Sequence, residues 1–287
     1  MSELTLANYL GLLLEDPYDV QLLDGLKEKL KGPEPANDDA QDPLRLLEAA
    51  RGGHERRGEF LAASWLMELE SELVSDDPDF QKVLVKELGR VRREELMDDR
   101  GALVAFEQLG GIDSDDPEVA QAVDQIHQVE EKWSELAARF VEEAREAADP
   151  RLKTSLLTRA ASLMWQYGGD QAAEDADALF DEALGADPSH MRTARQYALS
   201  LRARGRWEDI VSVFVRAAEA ARTREEKASA WLQAARVLRR AIGDAERAAD
   251  AYRRVLEFSP TDEEALSALV ERYTDLEAWD ELAQMYE

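Results

Sequence analysis

Gly243-Asp244-Ala245-Glu246-Arg247-Ala248-Ala249-Asp250-Ala251-Tyr252-Arg253-Arg254-Val255-Leu256-Glu257-Phe258-Ser259-Pro260 is the stretch that decides the fold. Gly243-Asp244 opens it as a helix start and Ser259-Pro260 closes it. Between them Ala248 and Tyr252 stand four positions apart, on one face of a helix. The same Ala-x-x-x-Phe/Tyr pair stands at Ala176 and Phe180 and at Ala102 and Phe106, the three alanines being separated by 74 and 72 residues. A second pattern, Trp-x-x-Leu/Ile-x-x-x-Phe/Tyr, alternates with it at Trp133, Leu136 and Phe140, at Trp207, Ile210 and Phe214, and at Trp279, Leu282 and Tyr286, again with starts 74 and 72 residues apart. Interleaved, the two make one helical hairpin about every 34 to 40 residues. Self-similarity at such a period means an open helical stack in which each unit contacts only its neighbours.

The residue types suit that packing. Alanine lets two helices approach closely, and an aromatic one turn along fills the wedge against the next hairpin. Truncating a buried aromatic costs about 3–5 kcal/mol, whereas an exposed ion pair contributes roughly 0.2–1 kcal/mol. The aromatic ladder, not the abundant charge, must therefore hold the array. Trp133, Trp207, Trp231, Trp279, Phe140, Phe180, Phe214 and Tyr252 are expected in the core.

Outward from these patterns helix follows helix. Breaks are expected at Gly52-Gly53, Ser75 to Pro78, Asp98 to Gly101, Gly110 to Pro117, Asp149-Pro150, Gly168 to Asp170, Asp187 to Ser189, Gly205, Gly243-Asp244 and Ser259 to Asp262. Several pair a Ser or Asp cap with proline at the first helical turn. No stretch shows the period-two alternation of a strand, so the fold class is all α. Residues 1–31 read as an N-terminal helical hairpin interrupted at Pro17, and residues 32–43 as an acidic, proline-rich linker with no large apolar side chain. Residues 44–132 read as degenerate helical repeats, in which Phe60, Ala63 and Met67 precede Trp133, Leu136 and Phe140 by 73 residues. Residues 133–287 carry the well-formed copies.

The stretch from Gly243 to Pro260 resembles the second helix of a tetratricopeptide repeat (TPR), with a small residue where helices touch, an aromatic four later and a closing proline eight after that. Ala176, Phe180, Ala183, Leu184, Asp187 and Pro188 repeat it. In the first helix that follows, between Pro188 and Trp207, the spacing holds while identities drift: Ala194, Tyr197, Ala198 and Leu201 stand where the family has Trp, Leu, Gly and Tyr. A half-TPR or another α-solenoid is the alternative. The resemblance covers residues 133–287 and implies a right-handed superhelical array of antiparallel hairpins, with the first helix of each lining a concave face. Mapped residue by residue, it puts Arg192, Arg195, Leu199 and Arg202 in that groove, and Arg236, Arg239 and Arg240 of the next hairpin on the same side.

Arginine forks suit carboxylates, so such a groove admits an acidic segment or a chain terminus of a protein partner. Between Pro188 and Trp207 there are five Arg and no acid. The competing reading pairs these arginines with acids on adjacent helices, such as Asp181, Glu182, Glu225 and Glu226.

Charge supplies a second surface. The chain carries a formal −27, from 62 acidic and 35 basic residues, which argues against direct nucleic-acid binding and admits basic partners. Residues 1–150 hold 37 acids and 16 bases, whereas His190 to Arg254 holds 15 Lys plus Arg against 8 Asp plus Glu. An acidic chaperone or nucleic-acid mimic that binds a basic DNA-binding protein is thus the alternative to a scaffold or adaptor. Clusters such as Asp76 to Asp79 and Asp113 to Asp116 serve that reading, or serve as helix caps. An acidic surface with only 8 Lys is also what salt adaptation or solubility would produce.

No cysteine is present, which excludes disulfides and thiolate chemistry, and His54, His127 and His190 fall in no metal-ligand spacing. Gly52-Gly53, Gly110-Gly111 and Gly168-Gly169 are expected to close helices, not to cradle phosphate, so neither an enzyme nor a cofactor is expected. The opening residues have no basic lead before their apolar stretch and read as a soluble helix, giving a cytoplasmic expectation and no membrane span. The sequence stops at Met285-Tyr286-Glu287 on a completed Trp pattern with no polar terminal helix after it. Continuation of the native chain, or covering of that end by a partner, is expected, and self-association through the C-terminal face is a further reading.

Overall fold

Aspartate and proline write most of the helix starts. The side chains of Asp42, Asp77, Asp149, Asp244 and Asp262 each accept a hydrogen bond from a first-turn backbone N–H, and proline follows the first three. A carboxylate there satisfies an orphan donor at the positive end of the helix dipole, and proline gives up an N–H that would have no partner. The computed structural model describes residues 4–15, 17, 19–31, 42–112 and 116–278. Among them run α1 (Leu6–Glu15), α2 (Val20–Lys31), α3 (Pro43–Arg57), α4 (Phe60–Leu73), α5 (Pro78–Glu94), α6 (Asp99–Ile112), α7 (Pro117–Glu146), α8 (Pro150–Tyr167), α9 (Gly169–Ala186), α10 (Met191–Ala203), α11 (Trp207–Ala220), α12 (Arg224–Arg236), α13 (Ala245–Phe258) and α14 (Glu263–Asp275), with a π-helical turn (Val237–Ile242) continuing α12. The described residues contain no strand.

One glycine pair expected to end a helix does not: Gly52-Gly53 lies inside α3, whereas Gly110-Gly111 falls in the last turn of α6, which ends at Ile112. At Gly53 a Cβ would come within 3.3 Å of Leu14, so the missing side chain allows α1 to sit close against α3. The turn falls instead at Gly58, whose φ of 68° is the left-handed conformation that glycine adopts without strain.

The chain divides into two compact units, residues 1–131 and 132–287. Helix α7 loses helical geometry at Lys132 (φ −121°, ψ 15°), where the division falls. In the first unit Leu10, Leu13, Leu23 and Leu26 of α1 and α2 are buried with Leu47 and Ala50 of α3 and Leu66 and Leu69 of α4. A second cluster joins Met67, Val85, Leu88, Ala102, Phe106 and Ile126. Gly89 again permits close approach, since a Cβ there would run into the Phe106 ring.

In the second unit α8 to α14 pack consecutively as antiparallel hairpins, and α8 also meets α10. This is a TPR-like array. Phe180 stacks on Tyr197 at 5.1 Å between centroids, 16° from parallel. The repeat resolves into two lengths. Ala160, Leu163 and Tyr167 lie 34 residues before Ala194, Tyr197 and Leu201, and Ala176 and Phe180 lie 34 before Ile210 and Phe214. In the next hairpin Trp231, Ala234, Ala235 and Leu238 follow Ala194, Tyr197, Ala198 and Leu201 by 37, but Ala248 and Tyr252 follow Ile210 and Phe214 by 38.

One residue is therefore inserted between the two helices of that hairpin, and the π turn absorbs it. The Leu201 carbonyl accepts from the Arg206 N–H (3.0 Å), while the equivalent Leu238 carbonyl accepts from the Asp244 N–H (2.9 Å), one residue further along. Both closures turn on a left-handed glycine, Gly205 (φ 69°) and Gly243 (φ 77°).

Of the expected aromatic ladder, Phe180, Phe214 and Tyr252 are buried, and Trp207 and Trp231 are half-buried against the same core. Trp133 lies across Gly168, where a Cβ would come 3.1 Å from its ring. Phe140 is half-buried and carries guanidinium groups on its ring, Arg159 at 5.2 Å and Arg139 at 5.5 Å. Trp279, Leu282 and Tyr286 lie outside the described residues. Phe180→Ala is expected to lower unfolding stability by about 3–5 kcal/mol in urea titrations. Phe140→Ala should cost well under half as much, because solvent already reaches that ring.

Candidate protein-binding face on helix 10 and its neighbours

Helix α10 carries no acid of its own, and the residues it buries set which face turns inward. Thr193, Ala194, Gln196, Tyr197, Ser200 and Leu201 are buried. Arg192, Arg195, Leu199 and Arg202 recur at i, i+3, i+7 and i+10, one helical stripe. Arg192 is exposed, and Arg195, Leu199 and Arg202 are half-buried. The Arg202 guanidinium lies over the Trp207 ring at 5.5 Å. Such a stack holds the planar fork in one orientation, and a guanidinium stacked on a ring keeps its charge and its in-plane donors.

Arg204, Arg206 and Arg216 reach carboxylates of neighbouring elements. Arg204 grips Asp177 through two hydrogen bonds (2.9 and 2.6 Å), and Arg206 takes Asp177 (2.6 Å) and Asp209 (2.8 Å), tying α9 to the α10–α11 turn. Arg216 takes Asp181 at 3.0 Å, and the Tyr197 hydroxyl donates to the same carboxylate at 3.2 Å. Burial, with Asp177 and Asp181 nearby, pushes the Tyr197 phenol above its ordinary range.

In the next hairpin Arg236 is buried, its side chain 4% exposed, and it pairs with Glu264 of α14, itself 7% exposed, through bonds of 2.9 and 2.6 Å. The guanidinium placed in the groove by sequence mapping thus joins α12 to α14. Arg239 reaches Glu271 of α14 at 2.5 Å, and Arg240 is exposed at the π turn. Tyr252, beneath this cluster, has its phenol pushed up to about 12 by burial first and Glu264 second.

A buried hydroxyl string supports α10 from behind. Thr154 donates to the Ala183 carbonyl (3.0 Å), Thr158 donates to the Thr154 carbonyl (2.7 Å), and the Thr158 and Thr193 hydroxyls meet at 2.6 Å. Thr193 in turn meets His190 Nδ1 at 2.7 Å, and His190 accepts from the Thr193 N–H as the cap of α10. Burial lowers the His190 pKa, Arg192 and Arg151 lower it further, and Asp187 opposes them.

The sequence did not mark Asp177, Glu264 or the threonine string. Their signal was present only as polar residues recurring at helical spacing among apolar ones, which does not say which partner each meets. The acidic clusters have local duties: Asp77 bonds the Phe80 N–H, and Asp116 bonds the Glu118 N–H and Lys86. Asp113 to Asp115 lie outside the described residues. Among the described residues no group of three or more His, Asp or Glu is placed to hold a metal ion, and no helix is long and apolar enough to cross a membrane.

Two outcomes follow from this geometry. Glu264→Ala should destabilise the second unit by about 3–5 kcal/mol, because it strands the buried Arg236 charge, and Arg236→Met with Glu264→Leu should recover most of the loss. The neutral His190 favoured by the fold contributes stability that is complete above about pH 6.5 and is lost as pH falls through that ordinary value toward the depressed one. Urea midpoints should fall between about pH 7.5 and 5.5 in the native protein and fall less in His190→Asn, which keeps a capping oxygen without a titrating ring.

The sequence matches no protein-family model and no curated protein. Solved structures with a similar fold include a thermophilic TPR protein of Thermus thermophilus, 18% identical, covering 66% of this chain and 99% of that one with a TM-score of 0.32. An assembly chaperone of RpL4 is 14% identical over 84% of this chain and 99% of its own, at 0.30. The TPR2AB domain of yeast Sti1 in complex with pHSP90 is 12% identical over 94% and 96%, at 0.28.

Proposed function

We propose that the protein is a non-enzymatic interaction scaffold or adaptor in which the outward stripe of α10 receives an acidic segment or a chain terminus of a protein partner. The observation that carries this reading is the stripe itself: Arg192, Arg195, Leu199 and Arg202 on one face of a helix that has no carboxylate of its own. Guanidinium forks bind carboxylates bidentately, and Leu199 offers an apolar contact between them. Arg239 and Arg240 extend the basic face, while Arg236 acts by fixing α12 against α14.

The acidic first half favours a different partner, a basic DNA-binding protein. Several of its carboxylates, among them Asp42, Asp77 and Asp116, are engaged as caps, which makes the arginine stripe the stronger candidate. The test is fluorescence anisotropy with a labelled glutamate-rich peptide, prepared with a free and with an amidated C-terminus. Arg192→Glu combined with Arg195→Glu should weaken binding about tenfold or more, with a steep loss in high salt. Unchanged affinity in that variant removes the stripe as the site.

A further inference from the structure

The α10 stripe opens beside a titratable cap. His190 precedes α10, and its Nδ1 accepts from the Thr193 N–H at a long 3.4 Å, while the Thr193 hydroxyl lies 2.7 Å from the same nitrogen. Arg192, the first arginine of the stripe, follows two residues later. Histidine is the side chain whose charge ordinarily changes between about pH 5 and 8. The protonation of this ring and the charge gathered at Arg192 therefore act on each other at short range.

The hydroxyl string behind α10 receives the ring in both protonation states. Without a proton on Nδ1 the ring caps the helix. With one, Nδ1–H donates to the Thr193 hydroxyl, Thr193 donates to Thr158, and Thr158 donates to the Thr154 carbonyl, so each hydroxyl gives its one hydrogen in the same direction. Charging thus exchanges a long cap bond for a donor bond to Thr193. The first turn of α10 keeps its support, and Arg192 keeps its place on the stripe.

What resists the charge is the ring's surroundings. Burial does so first, Asp187 in the α9–α10 turn works against burial, and Arg192 of α10 and Arg151 of α8 add to it. Asp187 is itself occupied by the Ser189 N–H and hydroxyl, at 3.2 and 2.7 Å. A cavity of about 430 Å3 at this turn brings Asp149 and Arg222, one charge of each sign, alongside Arg151 and Asp187. A carboxylate that settles on Arg192 cancels one of the two cations acting against the ring and adds a negative charge beside it. We propose that His190 couples occupancy of the α10 stripe to pH: an acidic segment seated on Arg192 draws a proton from solvent onto the imidazole, and the imidazolium holds that segment more tightly. This regulation rests on the stripe's being a site for acidic segments. It is reciprocal, because a ligand that shifts a proton equilibrium is itself shifted by the proton to the same extent.

The test titrates the full chain with the labelled glutamate-rich peptide between about pH 7.5 and 5.5, where glutamate stays ionised. Affinity of the native protein should rise at least about threefold over that interval, and in His190→Asn, which keeps a capping oxygen, it should stay constant. Calorimetry at about pH 6.5 in two buffers of different ionisation enthalpy should report proton uptake by the native protein and none by the variant. A further measurement does not depend on how the variant folds: the His190 ring signal of the native protein, followed by NMR, should titrate at higher pH with peptide bound than without it. Binding whose pH dependence is the same in both proteins, or a His190 titration that the peptide leaves unmoved, overturns the coupling and leaves the α10 stripe standing. No binding by the native protein anywhere in the interval overturns both.

Discussion

Close approach of helix backbones is the constraint on which the second unit depends. Ala176, Ala183, Ala194, Ala230, Ala234, Ala235, Ala248 and Ala251 are buried along the helix contacts, and each larger side chain in the core enters a space that those methyl groups leave. Phe180 on Tyr197, with Phe214 and Tyr252 in the following turns, fills the gap between one hairpin and the next. A helix that carries alanine at its contact cannot bury much area by itself, so the energy is delivered by the few aromatics, and each of them matters more than it would in a large globular core.

Charge is arranged around that frame in two ways. Across helices, arginine and carboxylate pairs such as Arg204 with Asp177 and Arg236 with Glu264 fix rotation and register, and in the second case both partners are nearly closed off from water. Along helices, exposed i,i+3 pairs such as Arg254 with Glu257 contribute little and leave the charge available. The distinction separates arginines that hold the array from arginines that could meet a partner. Arg202 of the α10 stripe rests on the Trp207 ring, whereas Arg204 and Arg236 are fixed by carboxylates of other helices.

The π turn after α12 is how the array absorbs an irregular repeat. One inserted residue was accommodated by widening a helix turn, so that Trp231, Ala234, Ala235 and Leu238 keep the register of the preceding first helix while α13 keeps that of the preceding second helix. The insertion is thus confined to the closure between Leu238 and Gly243.

Helix starts and the packing ladder were legible in the sequence because both are local: an aspartate followed by proline caps the helix it begins, and an alanine four residues before an aromatic lies on the same face wherever the helix goes. The all-α class followed from those signals, and so did the burial of Phe180, Phe214 and Tyr252. What depended on neighbours distant in the chain was decided by the tertiary structure. Gly52-Gly53 stays helical, and the missing side chain at Gly53 leaves room for Leu14 of α1. Phe140 is only half-buried, and guanidinium groups of Arg139 and Arg159 lie on its ring. Arg236 is buried because Glu264 arrives from a helix 28 residues on to neutralise it. A sequence states which side chain is charged or aromatic, but whether that side chain faces solvent is fixed by the element packed against it, and only folding brings the two together.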